Sequence, residues 1–361
     1  MSADHPAPEP LPGMAAAPED PQVEPGSPTP PERSGGPSPS DSNWPHRPLY
    51  DRVRQALYAV PAQFETELNI TGVKVPDLPS LNIALGASIE GAVVDTLNRT
   101  RGIWDPDGQY QAYAWMRFPQ GFPDVRLMTD EPGAAPILMG IELKGYFVMS
   151  EELEPSFRFT TTEACCADAD LLVMYPWYLS QVVSGTPRLL KPWIEEARYA
   201  ARMRNHDWAY GRPAGPAPTA RRRGGRTRAE ANTAIKVPTG VSVYPGSKKQ
   251  INDQPAEDNG GNFGRLARSG MMNDYVAGLG DTMLSGIPLR GWVAFLKATS
   301  GEGRLTERQM RDFVRRLAAS LDVSGVPAVR AVVERALEEL EDDDTSGNSQ
   351  ASEAPLGSET G

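Results

Sequence analysis

An apolar stretch over residues 137–149 constrains the fold more than any other feature of this 361-residue chain. It has the length and composition of a buried central strand, yet it contains two charged residues, Glu142 and Lys144. Because side chains alternate along a strand, both charges point to the same face. Burying an unpaired ion costs several kcal/mol. The two residues are therefore either an ion pair within the sheet or part of a functional site.

A predicted hairpin brings a third charged residue to this strand. Residues 129–133, Thr-Asp-Glu-Pro-Gly, have the composition of a turn and follow a short apolar strand at 125–128. Asp124 immediately precedes that strand, so we expect its carboxylate at the same sheet edge as Glu142 and Lys144. Asp124 has a structural alternative, that of an aspartate in a turn at the start of a strand.

Two carboxylates beside an ammonium group suit a hard cation. Mg²⁺ prefers oxygen ligands, keeps several waters and binds through one or two carboxylates plus substrate phosphates. A cation held in this way neutralises a phosphate and activates a water, and a neighbouring lysine stabilises the charge that develops in the transition state. The arrangement of Asp124, Glu142 and Lys144 thus indicates phosphodiester hydrolysis.

The remaining periodicities predict an α/β fold, in which a mixed central β-sheet is flanked by helices and followed by additional C-terminal helices. A short helix begins at Leu49, and a longer one over 82–99 has apolar residues in steps of four and contains Glu90. The other predicted helices lie at 161–168, 193–204, within 262–279, at 306–321 and at 326–340. The other predicted strands lie at 110–118, 169–179, 237–243 and 291–298.

Composition divides the chain into a body and two tails. Residues 1–48 are rich in Pro, Glu, Ser and Gly, and residues 341–361 are acidic, so both are predicted to be disordered. The body, 49–340, is predicted to be one domain, with an Arg-rich loop at 211–233. The formal net charge of −11 comes from the tails, whereas the body is close to neutral and has a basic stretch that suits a polyanionic partner.

The cysteine and histidine content narrows the possible chemistry and location. Cys165 and Cys166 are adjacent, which indicates reduced thiols in a cytoplasm, not a disulfide. Three histidines nearly exclude a histidine-based metal site or triad. No apolar run is long enough for a transmembrane helix, and no secretory signal is evident, so we expect a cytoplasmic protein with no membrane partner.

Pro123-Asp124, followed by Glu142-x-Lys144 on an apolar strand, resembles the PD-(D/E)XK nuclease superfamily, particularly type II restriction endonucleases. The resemblance covers roughly residues 80–185 and implies an αβββαβ core and a Mg²⁺ cofactor. It also implies that Asp124 and Glu142 bind the metal, that the Leu143 carbonyl is a possible third ligand, and that Lys144 is the catalytic lysine.

The same resemblance implies that Glu90, on the first helix, is a further metal ligand, and it leaves Glu163 as a weaker candidate. Each has a plain alternative. Glu90 could be a helix acid that faces solvent, and a glutamate in the first turn of a helix, such as Glu163, usually complements the helix dipole.

The partners implied by the resemblance are double-stranded DNA, a second copy of the chain in a homodimer, and a cognate DNA methyltransferase that protects the host. Two Gly-rich stretches, 244–250 and 259–268, carry side chains of the kind that contact phosphates and base edges. We expect four of these residues to bind DNA: Lys248, Lys249, Arg265 and Arg268. The alternative is an ordinary glycine-rich connection.

Three other functions remain open from the sequence. The chain could be a repair or recombination nuclease of the same superfamily, which selects DNA structure instead of sequence. It could be a non-catalytic DNA-binding protein with a degenerate nuclease fold. It could also be a metabolic enzyme that uses Glu142 and Lys144 for general acid–base chemistry.

Overall fold

The computed structural model describes residues 29–36, 44–73, 80–118, 121–150, 154–182, 184–211, 235–236, 252–255 and 262–299. In these ranges, no helix is both long enough and apolar enough to cross a membrane. Several predictions lie outside them: the strand at 237–243, the helices at 306–321 and 326–340, the Arg-rich loop beyond Gly211, and the acidic tail.

The described chain alternates between helices and short strands. The helices are α1 (Arg47–Gln63), α2 (Leu81–Arg99), α3 (Arg101–Trp104), α4 (Ala197–His206), α5 (Asn273–Gly280) and α6 (Leu289–Thr299). The strands are β1 (Ala114–Arg117), β2 (Val125–Met128), β3 (Ile137–Phe147), β4 (Leu171–Leu179), β5 (Pro187–Leu189), β6 (Trp193–Glu196), β7 (Ile235–Lys236), β8 (Gln254–Pro255), β9 (Met283–Leu284) and β10 (Ile287–Pro288).

Six strands form the central mixed sheet, in the order β1-β2-β3-β4 with β5 and β6 beyond β4. The first three strands form an antiparallel meander, β4 runs parallel to β3, and β5 and β6 are antiparallel to β4. β6 pairs with the first half of β4 and β5 with its last three residues, so the two short strands share one edge of β4. The predicted α/β class with a mixed sheet is confirmed.

The predicted hairpin is present in the expected register. Val125 of β2 lies opposite Ile141 of β3, and the apolar residues of β3 on that face are almost fully buried. Parallel pairing with β4 covers the other edge of β3. A strand that is paired on both edges and buried on one face has a strongly specified register. The positions of Glu142 and Lys144 are therefore fixed by the core, not by their own contacts.

The two long N-terminal helices pack as their apolar spacing predicts. α1 buries Leu49, Val53 and Leu57 along one face, and α2 buries Ile89 and Val93. α2 packs on β1 and β3, while α1 contacts α2, α3 and β5. The Tyr175 hydroxyl of β4 donates to a backbone carbonyl of α1 at 2.8 Å, which ties that helix to the sheet.

Three predicted elements are wrong. Residues 161–168 form no α-helix, only the 3₁₀ turn Glu163–Cys165. The predicted helix over 193–204 begins as strand β6, and α4 starts at Ala197. The predicted strand over 291–298 lies inside helix α6. The helix expected within 262–279 is present as a 3₁₀ segment, Leu266–Ser269, followed by α5.

Part of the segment that was predicted to be disordered is docked on β6. The backbone N–H of Gly36 donates to Glu196 Oε1 at 2.7 Å, and the N–H and hydroxyl of Ser34 donate to Oε2. Arg33 bonds to Glu195 at 2.9–3.0 Å. Both glutamates are buried. Residues 29–36 therefore take a defined position on the domain, and residues 1–28 and 37–43 of the predicted tail lie outside the described ranges.

Replacing Glu196 with alanine should release this docked segment. The substitution removes the acceptor of three hydrogen bonds to a charged group, and bonds of that kind contribute about 1.5–3 kcal/mol each at most. We expect a docking loss of about 2 kcal/mol, which corresponds to roughly 30-fold more of the undocked state. Limited proteolysis with trypsin, which cuts after arginine, should then cleave at Arg33 faster by that order.

Glu32→Ala, at an exposed position of the same segment, is the matched control and should leave the cleavage rate unchanged. An unaltered rate in the Glu196→Ala protein would show that this carboxylate does not hold the segment.

Candidate active site

Asp124, Glu142 and Lys144 converge as the sequence predicts. The Lys144 ammonium lies 2.7 Å from Glu142 Oε1 and 3.2 Å from Asp124 Oδ2. Glu142 and Lys144 are two residues apart on β3, so they share a face, and the hairpin places Asp124 beside them. The three side chains are largely covered, and 12–24% of each remains exposed. Solvent therefore reaches the cluster through a small part of each side chain.

Backbone groups hold both carboxylates in place. The N–H of Leu143 donates to Asp124 Oδ2 at 3.2 Å, and the N–H of Asp124 donates to Glu142 Oε2 at 3.3 Å. Each carboxylate is therefore bound by the strand that carries the other. This reciprocal bonding fixes the separation of the two groups without using all of their oxygen lone pairs.

Two residues that the sequence did not single out position the Asp124 loop. Gly140 lies in β3 directly under Pro123, and a Cβ at this glycine would sit 2.0 Å from the proline ring. Only glycine allows so close an approach. The buried Asp170 carboxylate accepts hydrogen bonds from the N–H groups of Gly140 at 2.8 Å and Ala167 at 2.7 Å, which ties the start of β4 to β3. In the sequence, the sign of this close approach is Gly140 itself, a glycine inside an apolar strand.

Burial of Glu142 makes it the most perturbed carboxyl group of the cluster. Burial, reinforced by the Asp124 charge, raises the pKa of Glu142 to about 7, and the attraction of Lys144 only partly offsets it. Burial alone would lower the pKa of Lys144, but the carboxylates of Glu142 and Asp124 outweigh this effect, so its pKa is raised and the ammonium stays charged. The pKa of Glu142 therefore lies closer to neutral than that of an ordinary carboxyl group.

Glu90 lies at the edge of the cluster. Burial and the Asp124 charge raise the pKa of its carboxyl group, and the charges of Lys144 and Arg117 oppose that shift. Arg117 of β1 lies 3.6 Å from Glu90 Oε2, and both side chains are partly exposed. Glu90 is thus electrostatically coupled to the site, so it is not a helix acid that merely faces solvent. Its role as a metal ligand stays a prediction.

The donor set fits a cation that needs few protein ligands. Among the described residues, no three His, Cys, Asp or Glu side chains group closely enough to hold a metal ion together. Mg²⁺ does not require such a group, because it binds through one or two carboxylates, waters and substrate phosphates. Asp124 and Glu142 supply the two carboxylates. The elevated pKa of Glu142 favours a cation as well, because a bound cation would relieve the cost of ionising it.

The role of the Leu143 carbonyl as a third ligand stays a prediction. The Leu143 N–H points to Asp124 Oδ2 at 3.2 Å. A strand residue presents its N–H and C=O on the same side, so the backbone of Leu143 faces the Asp124 side of β3.

The structure describes two of the four residues that were predicted to bind DNA. Lys248 and Lys249 lie outside the described residues. Arg268 is partly exposed and bonds to Asn262 Oδ1 at 2.7 Å, and Arg265 forms a β-bridge with Arg158. This segment is linked to the site loop indirectly, because the Phe159 N–H donates to the Gly264 carbonyl and the Phe159 ring packs on Phe122 at 6.2 Å. DNA contact by Arg265 and Arg268 stays a prediction.

Glu163 forms an ion pair away from the Asp124, Glu142 and Lys144 cluster. Its carboxylate lies 3.5 Å from Arg202 of α4, and about half of its side chain is exposed. A surface ion pair accounts for it.

Comparisons of the chain with protein-family models, with curated proteins and with solved structures gave no match. The function is therefore inferred from the geometry of the chain itself.

Proposed function

We propose that this protein is a Mg²⁺-dependent endodeoxyribonuclease of the PD-(D/E)XK type, of the restriction class that recognises a short DNA sequence. The observation that carries the proposal is the convergence of Asp124, Glu142 and Lys144 on one face of the sheet. Part of the order of elements supports it: a helix carrying Glu90, a three-stranded meander carrying the motif, and a strand parallel to β3. The helix that the αβββαβ core has between the last two strands is replaced by the 3₁₀ turn Glu163–Cys165. The sequence resemblance rests on the same residues.

An ion pair that merely satisfies the sheet is the main structural alternative, and two features favour a functional site. A structural pair needs one carboxylate for one ammonium, whereas Lys144 faces two. Burial, to which the Asp124 charge adds, raises the pKa of Glu142 to about 7, so the ionised form of Glu142 is disfavoured in the cluster. Groups perturbed in this way concentrate at functional sites.

Each residue of the cluster has a separate role in the proposed hydrolysis. Asp124 and Glu142, with the Leu143 carbonyl, would hold Mg²⁺, which when bound supplies charge neutralisation at the phosphate and a more acidic water. Lys144 holds both carboxylates in position and presents an ammonium group to the negative charge that grows on the phosphate oxygens. Glu90, with Arg117 beside it, borders the site.

Incubating the purified full-length chain with supercoiled plasmid tests the proposal. We expect strand cleavage in millimolar Mg²⁺, no cleavage in EDTA and slower cleavage as salt rises, because phosphate contacts release counterions. Discrete bands support the restriction class, whereas smears or preferential attack on branched DNA support a repair nuclease. Salt-sensitive binding without cleavage in Mg²⁺ or Mn²⁺ contradicts the catalytic proposal. Indifference to DNA contradicts any nucleic-acid function and leaves general acid–base chemistry at Glu142 and Lys144.

A second copy of the chain and a DNA methyltransferase are the partners we propose on the same basis, with double-stranded DNA as substrate. Two site clusters in a homodimer would cut both strands of a symmetric sequence. Light scattering of the protein with and without a DNA duplex tests the dimer, and a methyltransferase gene next to the coding sequence would support the restriction class.

A further inference from the structure

An exposed aromatic residue, Phe118, lies in register with Asp124 on the neighbouring strand. The N–H of Phe118, the residue after β1, donates to the Asp124 carbonyl at 2.6 Å. The pairing of β1 with β2 and of β2 with β3, continued by one residue, puts Phe118, Asp124 and Glu142 in one row across the sheet. Residues in register point to the same face. The ring therefore shares the face that carries the candidate site.

This ring is part of an apolar patch where one is not expected. Phe118 is 39% exposed, and Met116, two residues earlier on the same face, is 51% exposed. Single exposed apolar side chains are ordinary, but a contiguous pair that borders a polar site marks a contact surface. Both side chains are thus accessible to a ligand.

The ring is held rigidly from one side. The guanidinium carbon of Arg126 lies 3.7 Å from the Phe118 ring centroid. Arg126 is itself buried and donates from Nη2 to the Phe122 carbonyl at 2.8 Å. A guanidinium at this distance stacks against one face of the ring, and such contacts contribute roughly 0.5–2 kcal/mol. Gly121 borders one edge of the ring, and 39% of Phe118 remains exposed, so part of the ring is accessible to a ligand.

We propose that Phe118 stacks on a nucleobase of the substrate strand, next to the phosphodiester that Asp124, Glu142 and Lys144 would cleave. This inference rests on the proposed nuclease function. Adjacent strands lie about 4.8 Å apart, so the backbone of Phe118 is about one strand spacing from that of Asp124, and a substrate strand bound at the cluster would pass close to the ring. An apolar ring offers nothing to a phosphate, whereas every base has a π-face that can stack on it.

The proposal narrows the form of the substrate. In an intact duplex both faces of a base are covered by its neighbours, so a base can stack on Phe118 only after it leaves the stack. Unstacking costs a few kcal/mol in a duplex and least in single-stranded or damaged DNA. If the platform is used, a duplex would be cut at the cost of extruding one nucleotide at the cleaved bond, and an unpaired nucleotide there would lower that cost.

Binding measured in EDTA, where no cleavage occurs, tests the platform. The probes are a 15-nucleotide single-stranded DNA and the duplex of the same sequence. Stacking of a base on an aromatic side chain contributes about 1–3 kcal/mol, so Phe118→Ala should weaken binding of the single strand roughly 5- to 150-fold. Phe118→Leu should recover part of the loss. In Phe118→Trp, the added indole fluorescence should be quenched when the single strand binds.

Tyr210 supplies the matched control, because it is also an aromatic residue with 39% of its surface exposed. Tyr210→Ala should bind the single strand as the wild type does, and Tyr210→Trp should show no quenching. If Phe118→Ala binds the single strand with wild-type affinity while the wild type cleaves plasmid DNA, the platform is overturned and the nuclease proposal stands. If the wild type neither binds the oligonucleotide nor cleaves DNA, both proposals are overturned.

Discussion

Lys144→Ala should lower the rate of DNA cleavage by roughly 10²–10⁴-fold, the range seen when one preorganised charged group or general acid–base group is removed. Lys144 is the ammonium that contacts both carboxylates and the group that would face the developing phosphate charge. Asp124→Asn should have an effect of similar size, because it removes a charged ligand. Cleavage rates of plasmid DNA in saturating Mg²⁺ give both numbers.

Two controls separate lost chemistry from lost folding. Lys191, an exposed lysine between β5 and β6, matches the loss of one positive charge, and Lys191→Ala should cleave at the wild-type rate. Because Lys144→Ala leaves two carboxylates side by side, Lys144→Gln, which keeps N–H donors near the carboxylates but removes the charge, provides a second variant. Circular dichroism and DNA binding in Ca²⁺ should be close to wild type for both. Full cleavage by Lys144→Ala and by Glu142→Ala would end the nuclease assignment.

The candidate site was predictable because strand geometry fixes it. Once 137–149 is a strand, alternation decides that Glu142 and Lys144 share a face, and a turn of known composition decides that Asp124 arrives beside them. These are local rules with few alternatives, since a shift of one residue would bury both charges. The side-chain distances of 2.7 and 3.2 Å confirm the expected convergence.

The helix and strand errors have different physical causes. β6 was predicted as helix because its four residues lead into a helical pattern, and only pairing with β4, which depends on tertiary structure, makes them extended. For α6 the signal was present and missed. Leu289, Trp292, Val293 and Leu296 are all buried, and their spacing of three, four and seven residues is helical.

Contacts between segments that are distant in sequence could not be predicted from the sequence. Nothing in the sequence shows that Asp170 bonds to Gly140 or that residues 33–36 bond to Glu195 and Glu196. Acidic residues on an apolar strand such as β6 suggest a partner, but its identity depends on which segment folds over the strand. The Phe118 platform is similar, because the sequence shows an aromatic residue and only the register places it next to Asp124.

Glu142→Gln should stabilise the protein at alkaline pH while abolishing its response to Mg²⁺. Burial raises the folded-state pKa of Glu142 from its ordinary value of 4.5 to about 7. The stability that this group contributes is therefore fully present below about pH 4.5 and is lost as the pH rises through 7. At 1.36 kcal/mol per pKa unit the loss is at most about 3 kcal/mol at pH 8. Glutamine resembles the protonated acid and does not ionise, so the Glu142→Gln protein does not lose this stability as the pH rises.

Urea unfolding followed by tryptophan fluorescence, in EDTA at pH 5 and pH 8, measures this difference. We expect nearly equal free energies of unfolding for the two proteins at pH 5 and a gain for the Glu142→Gln protein at pH 8. Mg²⁺ should stabilise only the wild type, and more at pH 8 than at pH 6, because it competes with a proton for Glu142. Glu163→Gln, at a half-exposed glutamate paired with Arg202, should match the wild type throughout. A Glu142→Gln protein that is less stable than the wild type at pH 8 would mean that the cluster is a structural ion pair. In a site built to hold a cation, the ionised carboxylate destabilises the metal-free protein. In a structural ion pair, the ionised carboxylate stabilises it.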